Sequence, residues 1–325
     1  MRTICIDYDG LLFKACCAVE DRGILVKHTS GLELEFKNRT EFYGHWKKKN
    51  SGWLALNKEY SLEDFEIEDT RVVEPLENAL ALLKRQIIAI KDVLEADVYY
   101  GYYSGQGNFR KDICTLLPYK GNRKDNVLPL HLQDARDYLF KHHNGKPSKD
   151  VEPDDLVTTD MFTAIKSKAD FIGVVFEKDY LGCDGNWYYP DTGEIINVSG
   201  FGRLHRTEKG VKGEGRLWKY FQCCFADASD NYYANCFSEV SNGEVTVYNT
   251  LKDCKNDKEA FECMKLHFQK LYPKAITISN WKGDLFEIDW LYVMQEMFNM
   301  AHLQRWKDDR IDVKIVFNKL GVSLE

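Results

Sequence analysis

Short apolar runs that end in acids recur along this chain. Residues 3–7, TICID, close on Asp7, and residues 171–176, FIGVVF, run into EKDY. Continuous apolar runs of this length mark strands buried on both faces, as in parallel sheets. Residues 97–103, DVYYGYY, are a third strand candidate, and residues 23–36 hold two apolar runs around HTSG that read as a hairpin. Residues 37–70 are polar and read as irregular. The clearest helix lies at 74–94, where apolar residues recur at three- and four-residue spacing and Pro75 sits in the first turn. Further helices are predicted at 131–143, 153–168, 257–271 and 286–305. Strand, helix, strand with acids at the strand ends predicts a Rossmann-like α/β domain over residues 1–205. Residues 206–325 read as a mainly helical C-terminal region.

Composition narrows the class. The chain has 325 residues, 44% hydrophobic and 29% charged, enough for a sizeable core. No apolar run approaches the roughly eighteen residues of a membrane span, and MRTICIDYDG lacks the shape of a signal peptide. The ten cysteines include no paired C-x-x-C, which argues against zinc and for reduced thiols in a cytoplasm. The net charge of −7 argues against indiscriminate nucleic-acid binding but leaves room for a local basic face.

One stretch, DVEPDDLVTTDMF from Asp150, puts Glu152, Asp154 and Asp155 within four residues. Acids in a first helical turn complement the helix dipole, and Pro153 suits the first helical position. The other reading is a metal site, because like charges this close repel unless a cation lies between them. Three more clusters bear on the choice: Asp7 with Asp9, Glu177 with Asp179, and Asp227 with Asp230. If the strands are parallel neighbours, these acids converge on one sheet edge. Hard cations such as Mg²⁺ take oxygen ligands, and two of them about 4 Å apart can clamp the attacking and leaving oxygens of a phosphodiester.

A basic arm lies between the strand candidates. NFRKDICTLLPYKGNRK carries Arg110, Lys111, Lys120, Arg123 and Lys124 against Asp112, with Phe109 and Tyr119 interleaved. Cations pair with phosphates and aromatic faces accept unstacked bases, so the arm is a DNA-binding candidate. The plain alternative is a solvated loop. KKK at 47–49 reads as a solvated turn within reach of DNA.

These blocks resemble, in order, those of the bacteriophage 5′→3′ exonucleases and flap endonucleases, which have a PIN-like nuclease fold. ICIDYDG resembles their first strand, PYKGNRK their arch motif, VEPDDL their E-x-D-D block, VVFEKDYL their S-x-D-x-D block and ADASDN their G-D-x-x-D-N block. The resemblance covers about residues 1–235. It implies a mostly parallel sheet with helices on both faces and a helical arch at about 105–130. It implies a nuclease using two Mg²⁺ ions, with Mn²⁺ substituting, on DNA with a 5′ end and on RNA in RNA–DNA hybrids, beside replication proteins in an infected host cell. It further implies Asp7, Glu152, Asp154 and Asp155 at one metal and Asp179, Asp227 and Asp230 with Glu177 at the other. Lys120 and Arg123 would meet the scissile phosphate. Asp9 is less tied to the site.

The chain departs from the pattern at Glu177, where Asp is usual, at Ser104, where an acid often stands, and at Ala226, where Gly is usual. The glycine-rich helix-hairpin motif that follows in relatives is absent, so the potassium site of relatives is not carried over and stays open, and duplex binding should rest on the basic arm. Two alternatives stay open. DYDGLLF also resembles haloacid-dehalogenase-type phosphatases, with Asp7 as nucleophile and Asp9 as general acid, although Leu11 stands where Thr is expected. A nuclease homologue that binds DNA ends without cleaving them is the other.

Overall fold

A computed structural model describes residues 1–47, 61–124 and 126–324. Strand β1 (Thr3–Asp7) runs directly into α1 (Tyr8–Cys17). Next come β2 (Glu20–His28), β3 (Glu33–Phe36), α2 (Arg39–Lys47), β4 (Phe65–Val73) and α3 (Leu76–Val93). They are followed by β5 (Val98–Gln106), α4 (Phe109–Ile113), α5 (Leu132–His142), β6 (Gly145–Lys149), α6 (Pro153–Ser167), β7 (Phe171–Val174), β8 (Gly185–Tyr189) and β9 (Glu194–Val198). The remainder holds a hairpin of β10 (Arg203–Thr207) and β11 (Gly210–Glu214), α7 (Arg216–Cys224), and a short hairpin of β12 (Ala226–Asp227) and β13 (Tyr232–Tyr233). Then come α8 (Glu244–Leu251), α9 (Asp257–Leu271), a hairpin of β14 (Ile276–Ser279) and β15 (Leu285–Ile288), α10 (Trp290–Ala301) and α11 (Val313–Leu320).

The protein is mixed α/β. A six-stranded sheet in the order β6-β5-β1-β7-β8-β9, flanked by helices, is parallel except for β9. Its centre follows from sequence: TICID and FIGV are almost wholly buried, as a strand covered on both faces must be. From β1 the chain places β5 and β6 on one side and β7 and β8 on the other. The boundary between β1 and β7 is therefore a switch point, and the crevice at the strands' C-terminal ends there is where ligands of open α/β sheets bind.

The contacts divide the chain into two compact units. One comprises Met1–Gly10, Ile87–Val127 and Tyr138–Glu325, and holds this sheet, the C-terminal helices and all the acid and arm residues singled out above. Its C-terminal region is built around α7, buried from Leu217 to Cys224 against Phe261, Met264, Phe268, Met294, Met297 and Phe317. The helix predicted at 286–305 is shorter, because the β14–β15 hairpin precedes it and Asp289 caps it, accepting from Tyr292 N at 2.8 Å. The other unit comprises Leu11–Gln86 and Leu128–Asp137, with a three-stranded sheet in the order β3-β2-β4. The hairpin expected within 23–36 is β2 and β3. The polar stretch 37–70 hides β4, where Phe65 and Ile67 pack on Ile24, Val26 and Phe42 while Glu68 pairs with Lys27 at 2.6 Å. Period-two alternation was masked by the density of acids. Lys48 and Lys49 of the basic triplet lie outside the described residues.

Beyond α10, buried His302 meets buried Asp309, with Nε2 2.9 Å from Oδ2, while Nδ1 has no hydrogen-bond partner among the described residues. Protonating His302 would leave a buried N–H unsatisfied. Burial, outweighing Asp309's pull, holds its pKa down at about 4. The unfolded chain therefore takes up this proton at pH values where the folded chain does not, so this residue's contribution to stability falls as pH drops from about 6.5 toward 4. The buried carboxylates described below shift oppositely, so the measurement must be differential. The gap in unfolding free energy between wild type and His302→Asn should narrow by about 2 kcal/mol from pH 7 to pH 4.5. A gap independent of pH would show that His302 is not held neutral.

Candidate active site

The acids gather where the strands end. Asp7 is the last residue of β1; its Oδ2 accepts from Tyr180 Oη at 2.9 Å and its Oδ1 from Asp9 N at 3.2 Å. Burial first, then the charges of Asp9 and Glu177, raise its pKa well above the ordinary carboxylate range. Asp9 turns to β5: Ser104 donates to it through N (3.0 Å) and Oγ. The serine that stands where an acid was expected thus holds a neighbouring one by two hydrogen bonds. Glu177 follows β7 and begins the 3₁₀ turn Lys178–Gly182. In that turn Asp179 accepts from Gln222 of α7. Burial, then Asp227 and Glu177, push Asp179 up to about 7.

Helix α6 begins as the sequence predicts, with Pro153 at its first position and Glu152 as N-cap. Desolvation, then Glu152 and Asp155, raise Asp154 well above the ordinary carboxylate range. Asp155 is different. Its Oδ2 and Oδ1 accept from Arg110 Nη1 (2.7 Å) and Nη2 (2.9 Å), and they also take the backbone N–H of Glu152 (3.2 Å) and Gln304 (3.0 Å). Both oxygens, expected at a metal, are here engaged within the protein, in a buried ion pair with Arg110. Arg110 completes the knot by donating to Glu152 and to the carbonyls of Met300 and His302.

The basic arm is not a free-standing helix. Its helical content is α4 and the 3₁₀ turn Gly121–Arg123, and it folds onto the loop after β12. Lys120 N donates to Asp230 O, Asn122 Nδ2 to Ala228 O, Arg123 Nε to Ser229 O and Asn231 Nδ2 to Pro118 O. The Lys120 ammonium reaches Glu152 and lies 3.5 Å from Asp230, while Arg123 lies 3.2 Å from Asp230. Tyr119 Oη sits 2.7 Å from Glu152 Oε2 and 2.6 Å from Asp230 Oδ2. Burial would raise Glu152, but Lys120 and Arg110 outweigh it and hold the carboxyl low; Asp230 is raised, burial being the main cause. Asp227 is held low despite burial by Ser229 and Lys178, whose Nζ is 3.3 Å from Oδ2.

This geometry corrects part of the DNA-binding set. Arg110 is 1% exposed and Tyr119 6% exposed, so neither offers a surface to DNA. Phe109 is half-buried, with Arg310 3.4 Å and Arg110 4.7 Å from its ring centre. Lys111, Arg123 and Lys124 are exposed and Lys120 is partly so. Arg110 and Lys111 are neighbours in sequence, but α4 turns the first inward and leaves the second exposed.

No protein-family profile and no curated protein matches this chain. Solved structures do match. One, a crystal structure of the T5 D15 protein co-crystallised with metal ions, is 13% identical with a TM-score of 0.46, and the match covers 81% of this chain and 79% of that one. A likeness this distant carries no argument about activity, so the site is read from its own residues.

The donor set is carboxylate oxygen throughout, which suits a hard divalent cation. Burial first, and then neighbouring carboxylates, raise the pKa values of Asp7, Asp154, Asp179 and Asp230, and a cation would relieve that. Among the described residues, no three His, Cys, Asp or Glu side chains are grouped to hold one ion. Positive charge comes instead from Lys120, Arg123 and Lys178. Sequence reasoning missed the residues that hold the acids and the arm. Tyr180, Ser104 and Gln222 carry no pattern of their own. Glu296 of α10, buried, accepts from the backbone N–H of Thr115 and of Leu116 (2.8 Å), and so anchors the arm where it leaves α4. Only the fold brings residues 180 positions apart together.

Proposed function

We propose that the protein is a metal-dependent nuclease that hydrolyses phosphodiester bonds of DNA from a 5′ end, and RNA in RNA–DNA hybrids, in the service of phage DNA replication. One observation carries the reading: Lys120 and Arg123 of the YKGNR segment meet Glu152 of the E-x-D-D segment and Asp230 of the D-x-x-D-N segment at one site. A phosphatase has no use for that meeting, and both oxygens of Asp9 accept from Ser104, which ill suits a general acid.

Asp7, Glu152, Asp154, Glu177, Asp179, Asp227 and Asp230 would hold Mg²⁺ or Mn²⁺, which when bound would activate water and neutralise charge on the phosphate. Tyr180 fixes Asp7, Gln222 fixes Asp179, and Tyr119 fixes Glu152 and Asp230. The Lys120 ammonium stays charged, because Glu152 and Asp230 outweigh its burial. On substrate binding Lys120 and Arg123 exchange carboxylate for phosphate, Arg through two parallel donors and Lys as a point charge.

Incubation with 5′-labelled and 3′-labelled duplexes in Mg²⁺ or in EDTA tests the reading. Short products from the 5′ end only, and only with Mg²⁺, are expected; metal-independent or 3′-directed release overturns it. Lys120→Ala and Arg123→Ala should each lower the single-turnover rate at saturating DNA on the order of 10²-fold, with smaller effects on binding. Weaker binding at an unchanged rate would reduce both residues to ordinary phosphate contacts.

A further inference from the structure

A second basic feature lies outside the arm. Residues 203–214 form the β10–β11 hairpin and carry Arg203, His205, Arg206, Lys209 and Lys212 against Glu208 and Glu214. His205 opposes Lys212 and Arg206 opposes Val211. Leu204 and Val211 turn inward and are buried in the C-terminal core. His205 and Lys212 therefore share the outward face, Lys209 stands at the tip, and Arg206 is exposed on the other face. Arg203 pairs with Glu214 at 2.9 Å. Among the described residues, the side chains of His205, Arg206, Lys209 and Lys212 have no hydrogen bond, ion pair or ring contact. A merely solvated hairpin on a chain of net charge −7 should interleave its acids, yet within residues 203–214 the acids are two, Glu208 and the Glu214 that pairs with Arg203, while Glu244 of α8 adds a carboxylate at Val211 N (2.9 Å).

The ribbon is rooted at the acid edge. Gly215 N donates to Leu181 O at 2.8 Å, and Trp218 Nε1 donates to Lys178 O at 3.1 Å. Leu181 and Lys178 belong to the turn that carries Asp179. Gly202 and Gly215 close the base at φ +80° and +73°, and a Cβ on Gly215 would lie 2.6 Å from the Gly202 Cα. Only glycine fits there, so the ribbon has little freedom at its root.

We propose that the β10–β11 ribbon is a duplex-binding wing, lying along a groove of double-stranded DNA with its cations against the phosphates of both walls. The major groove of B-form DNA admits a two-stranded ribbon, and cations on both faces near the tip suit it. The proposal rests on the nuclease reading and supplies a duplex grip that the missing helix-hairpin glycines do not.

The test uses Arg206→Ser/Lys209→Ser/Lys212→Ser in an Asp154→Asn background, so that binding is read without cleavage. The three residues are exposed and without partners, and matched thermal melts check the fold. On blunt duplex, the slope of log affinity against log salt should become shallower by roughly 2.7, about 0.9 per lost phosphate contact, with duplex affinity about 10-fold or more lower. Single-stranded DNA should bind nearly as before. An unchanged slope and affinity overturn the wing, and so does an equal loss on single strands. If the Asp154→Asn parent binds neither form of DNA, the nuclease reading itself fails, and the wing with it.

Discussion

Asp154→Asn should lose cleavage by about 10³-fold or more while unfolding, in EDTA, at a temperature no lower than wild type. The acid is the second residue of α6 and accepts one short hydrogen bond, from Asp155 N to Oδ1 at 2.8 Å. Asparagine keeps that oxygen and the size of the side chain. What it removes is a charge set against those of Glu152 and Asp155 in a desolvated place, which is why its carboxyl is held well above the ordinary range. The helix dipole works the other way, but a charge in a first turn gains only about 0.3–1 kcal/mol from it. A carboxylate kept for chemistry costs stability where it stands, so removing it should separate stability from activity. Single-turnover cleavage and thermal unfolding, measured side by side, decide. A wild-type rate in excess Mg²⁺ would remove Asp154 from the chemistry, and a lower melting temperature in EDTA would show a structural acid.

Arg110→Ala should cost the native state about 3–5 kcal/mol, the cost typical of breaking a buried ion pair by removing one partner. The guanidinium is 1% exposed and donates to Asp155, Glu152 and the carbonyls of Met300 and His302. It joins α4, the start of α6 and the end of α10. Alanine would leave Asp155, also 1% exposed, charged and short of two donors, and would strip both carbonyls of a partner. The double variant Arg110→Met/Asp155→Leu should recover much of the loss, because neither charge is then buried alone. Chemical denaturation in EDTA of both singles and the double closes the cycle. A loss below about 1 kcal/mol for Arg110→Ala would mean that the pair is solvated in solution.

What was readable in the chain was local. TICID and FIGV show themselves as buried strands, and α6 announces its own start through Pro153 and the acids around it. Strand β4 was not readable, because acids alternate with its apolar residues and charge density hid the period. The hairpin before α10 was not readable either, since a four-residue strand leaves little pattern. By itself the sequence determined that acids stand at strand ends and at a helix start, and that a basic segment lies between them. Only the tertiary structure decided which charge meets which: Arg110 with Asp155 inside, Lys120 and Arg123 with Glu152 and Asp230 at the edge. The physical reason is range. Periodicity and capping act over a few residues, whereas Lys120 and Asp230 meet because the arm folds onto the loop after β12 and is anchored by Glu296 of α10, and Coulomb energy at 3–4 Å depends on placement that no spacing in the chain encodes.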